Sequence, residues 1–326
     1  MHARSVFLGV WLGGMLTLQA GYLGPADGYN GFFFGDYTSA NSDVGGKLAA
    51  GGNINITNFS VATAYPANHF NGEYALIAKG DINAANGQLV SGDAFAGGIG
   101  TFSSFTLLSG LLTEGGTSPV DFAAAETELK NKSQALKDLS GTAVSPNVGF
   151  EFILDAAGSD LAVFLLDSSE FCSSCSVKFV NVGANTTVVV NVKGASVNGT
   201  NASYFINGLG VNGDASSPLA SRILFNYFEA TSLFMNSGVQ GSVLAPYAEV
   251  TSTWGQMVGQ LVAQSYSNEC PEANRCGSLE LHDFNFEGDP GELPPPSGEV
   301  PEPATWVLSA AGLAGVLWHR GRAGKR

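Results

Sequence analysis

Apolar residues fall along this chain in short runs, several alternating with polar positions and most bounded by Gly or Asn. The stretches Lys47–Thr57, Tyr74–Ile82, Gln88–Phe95, Phe150–Leu154, Asp160–Leu166, Thr186–Val192 and Arg222–Phe228 carry this pattern. Short β-branched and aromatic segments separated by residues that tolerate positive φ predict strands joined by tight turns. Gly-containing turns recur every several residues near Lys47, and again over Ser237–Pro246 and Gly255–Ala263. That recurrence predicts a mainly β fold built as an irregular β-solenoid (β-helix), each turn burying its inward residues against the next. No strict period is visible, so the pattern alone leaves a β-sandwich open.

One segment changes period. Ser118 as cap, Pro119 at the first helical position and Asp121 three residues after the cap predict a helix start. Phe122, Ala125, Leu129, Leu136 and Leu139 then share one face, and Glu126, Glu128, Lys130, Lys132 and Lys137 the other. The helix spans about 119–140, stops by Gly141, and is expected to pack along the β body. It is short for a coiled-coil dimer.

The two ends read as addresses. His2 and Arg4 precede the apolar run Val6–Leu18 and the small residues Ala20 and Gly21, the layout of a signal peptide over residues 1–20. A β domain over 29–288 is followed by a Pro-rich spacer over 289–299, extended because it cannot bury a core. Val300, Pro301, Glu302 and Pro303 then lead into the apolar segment Ala304 to Trp318 and a basic tail with Arg320, Arg322, Lys325 and Arg326. This order over 300–326 resembles the PEP-CTERM sorting signal of Gram-negative bacteria. The resemblance implies an exosortase as partner, transient anchoring of Ala304 to Trp318 as a transmembrane helix in the inner membrane, and release to the cell surface or extracellular matrix. The basic tail would stay cytoplasmic by the positive-inside rule while the export machinery moves the body out.

Composition narrows the partners. Charged residues make up 13% of the chain and Gly numbers 43, which excludes a charge-rich disordered chain. Residues 21–300 hold nine of the 14 Lys and Arg but 27 of the 28 Asp and Glu, so the body is more acidic than the net −14 of the whole. Nucleic acid is excluded as a partner, because phosphate recognition needs clustered Lys and Arg. Outside the cytosol the close pairs Cys172/Cys175 and Cys270/Cys276 are expected to form local disulfides. A zinc site needs a closed tetrahedral set of thiolates, which the six-residue offset of the second pair suits poorly, so no metal is expected.

Three sets of residues resemble the choice-of-anchor A family of bacterial surface proteins: Ser42–Gly46 with Ala50–Asn53; Val120–Phe122 with Thr187–Gly194; and Ile223–Thr231 with Gly241–Pro246, Gly259–Ala263 and Leu279–Phe284. The resemblance implies a non-catalytic adhesin or structural component associated with exopolysaccharide or other surface glycans. Leu244–Pro246 and Gly259–Ala263 also resemble the discontinuous β-solenoid of ice-binding proteins, in which a helix lies beside the coil. Ice binding is therefore a further alternative, with Thr251 and Thr253 as its only local support.

The chain is poor in catalytic vocabulary. Only His69 and His282 lie in the body, and strand alternation places Glu280 and His282 on one face as polar-site candidates. There is no phosphate-binding loop, zinc-protease helix motif, nucleophile elbow or calcium loop, so no catalytic residue and no cofactor is assigned. The enzymatic alternative is a carbohydrate lyase or hydrolase on a β-solenoid, which needs carboxylates roughly 5–9 Å apart. Asp81 and Asp93 are its candidates. Six Asn-x-Ser/Thr sites, at Asn55, Asn58, Asn131, Asn185, Asn198 and Asn201, are read as turn chemistry.

Overall fold

The computed structural model describes residues 21–141, 150–170, 175–268, 278–291 and 293. Its first part alternates short strands with longer ones: β1 (Tyr29–Phe33), β2 (Tyr37–Val44), β3 (Lys47–Ala50), β4 (Ile54–Val61), β5 (Tyr74–Ala78), β6 (Ile82–Leu89), β7 (Asp93–Ala96), β8 (Gly100–Leu107) and β9 (Leu112–Glu114). After helix α1 (Phe122–Lys137) come β10 (Glu151–Asp155), β11 (Leu161–Asp167), β12 (Ser176–Val180), β13 (Thr187–Lys193), β14 (Ser196–Ile206) and β15 (Leu209–Gly210). The last strands are β16 (Ile223–Asn226), β17 (Ser232–Gln240), β18 (Ser242–Ser252), β19 (Gly255–Val258), β20 (Leu261–Asn268) and β21 (Leu279–His282). Over the described residues the fold is thus mainly β with one α-helix.

In the first part each strand pairs in parallel with the strand two places on. The second part does not extend that stack from β9. It starts at the far end with β11 and returns through β13, β16 and β18 to β20, which pairs with β1 through Phe32↔Val262. One parallel ladder therefore runs β9–β7–β5–β3–β1–β20–β18–β16–β13–β11, with the first and the nearly last strands side by side at its middle.

Two more ladders arise because the long strands turn a corner. Asn41, Asn58, Asn86 and Ser104 all have positive φ, near 55°, and the register skips Asn41, Asn58 and Asn86, so each strand contributes one half to each side. Among the described strands only β14 and β15 pair antiparallel, which removes the β-sandwich that the pattern left open. The pairings also depart from a plain coil. β17, β18 and β20 are long enough to pair on two sides, and with β2, β19 and β21 they close a ring of six parallel strands to which the others attach.

A second corner is held by side chains that cap the strand stacked on them. Asp36 Oδ1 accepts from the amide of Asn53 at 2.6 Å, Asn53 Oδ1 from that of Asp81 at 2.8 Å, and Asp81 Oδ1 from that of Ile99 at 2.7 Å. Gly precedes each capped residue because the cap leaves no room: a Cβ on Gly80 would sit 2.3 Å from Asn53 Oδ1, and one on Gly98 1.9 Å from Asp81 Oδ1.

The first ladder is apolar on both faces, as parallel sheets covered on both sides are. Phe33, Leu48, Leu76 and Ala94 enter the main core, while Phe32, Ala49, Ile77, Phe95, Val262 and Leu244 face outward into a second core beneath α1. The helix supplies Phe122, Ala125, Leu129 and Leu136 to that core, with Leu139 packed at its margin. Leu129 and Leu136 are fully buried, so truncating either to Ala would cost about 2–5 kcal/mol. The outer face carries the pairs Lys130–Glu126 at 2.6 Å and Lys132–Glu128 at 2.7 Å. The helix begins later than Ser118 predicts. Asp121 is the cap, its carboxylate accepting from Ala124 N at 3.1 Å, while Ser118 Oγ accepts from Val120 N.

Candidate functional site

The second ladder presents the most regular surface. Alternation sends Tyr37 and Ser39 of β2, Ile54 and Ile56 of β4, and Ile82 and Ala84 of β6 inward, all buried. The intervening residues point out and lie in register across strands: Thr38↔Asn55↔Asn83↔Thr101 in one row and Ala40↔Thr57↔Ala85↔Ser103 in the next. Neighbouring strands are about 4.8 Å apart, so each row is a line of short side chains at that step. The first row continues beyond β2 through Ser267, Thr251, Phe234 and Asn198.

The eight outward residues from Thr38 to Ser103 carry no charge, in a chain of net charge −14. Asn83 Nδ2 donates to Asn55 Oδ1 at 3.0 Å, and with Thr57, Thr101, Ser103 and Asn268 these residues line a shallow depression of 370 Å³. The backing is stiff. Tyr37 stacks on Tyr266 with ring centroids 5.1 Å apart, and burial pushes the Tyr37 phenol well above its usual range. Such a face offers hydroxyl donors and acceptors and amides on a flat, preorganised grid. It suits an extended, hydroxyl-rich partner more than a small molecule needing enclosure.

The structure puts the residues singled out from sequence in different places. Glu280 and His282 project from the same side of β21, with Glu280 Oε1 3.5 Å from His282 Nε2. His282 is nearly buried, and its Nδ1 lies 2.8 Å from Asp214 Oδ1. Asp81 and Asp93 each hold a backbone amide of the neighbouring strand, Ile99 N at 2.7 Å and Leu111 N at 2.8 Å. Thr251 falls in the outward row, and Thr253 donates to Asn236 Oδ1 at 2.8 Å. Cys175 is buried and disulfide-bonded; Cys172, Cys270 and Cys276 lie outside the described residues. Residues 1–20 and 300–326, including Ala304 to Trp318, also lie outside them. Among the described residues no helix is long and apolar enough to cross a membrane, and no three or more His, Cys, Asp or Glu gather to hold a metal ion.

Two family models match the chain. A family model described as "Putative Ice-binding-like adhesive domain" matches residues 22–273, and the model of the PEP-CTERM protein-sorting motif matches residues 299–322. The description matched over the body is the ice-binding-like adhesive one. Three solved structures are similar. An ice-binding protein from an Antarctic biological consortium is 12% identical over 86% of this chain and 96% of that one, with a TM-score of 0.37. One from the Antarctic ascomycete Antarctomyces psychrotrophicus is 12% identical over 83% and 100%, at 0.36. An ice-binding protein domain from Shewanella frigidimarina is 13% identical over 82% and 97%, at 0.31. No curated protein matches.

Proposed function

The chain belongs to the ice-binding-like adhesive domain family and ends in a PEP-CTERM sorting motif, and from that premise we propose that it is a non-catalytic adhesin displayed on the cell surface or in the extracellular matrix. The motif is a substrate signal for exosortase and indicates export to a surface location. The signal peptide over 1–20 and the membrane segment Ala304 to Trp318 complete the proposed route. The body is read as an irregular β-solenoid whose strands stack two places apart, with the ring of six as its irregular part.

The uncharged double row from Thr38 to Ser103 carries the proposal. Flat rows of hydroxyls and amides can satisfy hydroxyl groups repeated along a polymer, and exopolysaccharide is the ligand this reading names. Repetition of weak contacts supplies avidity without any deep pocket. Ice is the second reading, favoured by the same rows, since threonine and asparagine groups at a fixed step can also hold ordered water.

The experiment is to compare the full chain with its Thr57→Lys and Asn83→Lys variants, which place a long cation on the flat face without touching the core. Expected is at least a tenfold loss of retention on the producing cell's exopolysaccharide. If retention stays unchanged while inhibition of ice recrystallisation falls, ice is the target. If both variants match the parent in both assays, the face is not the adhesive surface.

A further inference from the structure

A different ladder holds a second surface. Trp254 is the only tryptophan between residues 21 and 299, and it stands 49% exposed in the turn between β18 and β19. Two hollows of 350 and 410 Å³ meet along Trp254, Val211 and Gly238. Ser203 and Phe205 line the first, Gln256 and Glu280 the second. The two form one groove with an aromatic wall and a polar floor.

The groove is built rather than incidental. Gln256 Nε2 donates to Glu280 Oε2 at 3.3 Å, which fixes the amide. The facing wall is the segment after β15. It is held by Asp214 against His282 at 2.8 Å, by Asn212 N donating to Ser216 Oγ at 2.7 Å, and by Ser217 N donating to Gln240 Oε1 at 3.3 Å. Gly238 keeps the centre open, since a Cβ there would lie 3.1 Å from the Val211 side chain. A preformed cleft with an aromatic surface and a few fixed polar groups is the usual form of a small-ligand site.

We propose that this groove binds a hexopyranose unit of an uncharged saccharide. A pyranose has an apolar C–H face, which would lie on the Trp254 indole, and a rim of hydroxyls, which the Gln256 amide and the Glu280 carboxylate would take. Bonds from hydroxyls to a carboxylate are charge-assisted and are the strong ones in such a set. Glu280 in the groove also selects against uronic or sulfated sugars, because like charges at short range repel. The site stands apart from the flat face, which lies on another ladder, and neither depends on the other.

The test uses the full chain with Trp11→Phe, Trp306→Phe and Trp318→Phe, so that Trp254 is the sole indole. Fluorescence is titrated with cellohexaose, with the hexamer of N-acetylglucosamine, and with hexagalacturonate as the anionic control. Expected is a saturable change with a neutral hexamer, at least tenfold weaker response to hexagalacturonate, and tenfold weaker binding in Gln256→Ala with an unchanged circular dichroism spectrum. Calorimetry on Trp254→Ala is expected to show binding lost, and Lys79→Ala, at an exposed position outside both the groove and the flat face, to leave the titration as in the parent. The proposal is overturned by no saturable change with either neutral hexamer, by Trp254→Ala binding within twofold of the parent, or by equal affinity for hexagalacturonate.

Discussion

Asn58 donates its side-chain amide to the side-chain oxygen of Asn41 across 2.9 Å, and both residues sit in the left-handed region, with φ of 52° and 57°. This pair makes the corner between the second and third ladders. For an L-residue that conformation costs about 1–2 kcal/mol, which Asn offsets by local hydrogen bonding and Gly avoids. Asn58→Ala is expected to destabilise the protein by about 1–2 kcal/mol in urea denaturation, whereas Asn58→Gly stays within about 0.5–1 kcal/mol of the parent, the entropy Gly loses on folding. Equal losses for the two variants would mean the side chain matters and the corner conformation does not.

The helix is fastened by a buried polar seam as well as by apolar packing. Asn226 Nδ2 donates to Ser133 O and to Asn191 Oδ1, both at 2.8 Å, Ser133 Oγ donates back to Asn226 Oδ1 at 2.6 Å, and Asn191 Nδ2 donates to Leu136 O at 2.8 Å. Asn226→Leu strands several buried groups at once, each worth about 1–3 kcal/mol. A loss of about 3–5 kcal/mol is expected, with earlier proteolytic cutting within Phe122–Lys137. Ser133→Ala strands only Asn226 Oδ1 and should cost about 1–3 kcal/mol.

The helix face and most strand positions were legible because each element keeps its own period: Phe122, Ala125, Leu129 and Leu136 needed only local spacing. The flat face was not. Successive corner residues are separated by 17, 28 and 18 positions, since the segment between β4 and β5 is inserted into one level, and no fixed period reveals that Thr38, Asn55, Asn83 and Thr101 share a row. Nor could the sequence show that β1 meets β20, a pairing of residues some 230 positions apart. The burial of the polar residues Ser133 and Asn226 shows only once the helix and sheet are brought together. Glu280 and His282 followed from alternation, but Asp214, which holds His282, comes from a separate segment that nothing in their own strand announces.

The proposed pairs Cys172–Cys175 and Cys270–Cys276 have a direct chemical test. In exported protein denatured without reductant, a thiol reagent is expected to label no cysteine, and after reduction to label all four. Each closes a short loop, so the entropic gain is about 2 kcal/mol apiece. Reduction should lower the urea midpoint by a matching amount. Labelling before reduction would remove the pairs.

A pH response follows from Asp283. Burial pushes its carboxyl above the usual 3.8, the nearby charge of Asp214 adds to the rise, and the hydrogen bond from Tyr65 with the charges of His69 and Lys47 opposes it. Tyr65 ties the inserted segment to Asp283, and it stacks on His69 with centroids 4.2 Å apart. A carboxyl whose folded pKa exceeds its unfolded one binds its proton more tightly in the folded protein. Its contribution to stability is complete below pH 3.8 and is lost as the pH rises through the folded value. Asp283→Asn keeps an oxygen for the Tyr65 hydroxyl and cannot ionise. Its unfolding free energy minus that of the parent is therefore expected to be smallest near the acid end and to grow as pH rises from about 4, then level off once Asp283 is ionised in both states. Glu73, whose carboxyl is lowered by its hydrogen bond from Lys47, contributes the opposite slope in both proteins and cancels in the difference. A difference that stays flat across that range would show that folding leaves the ionisation of Asp283 unchanged.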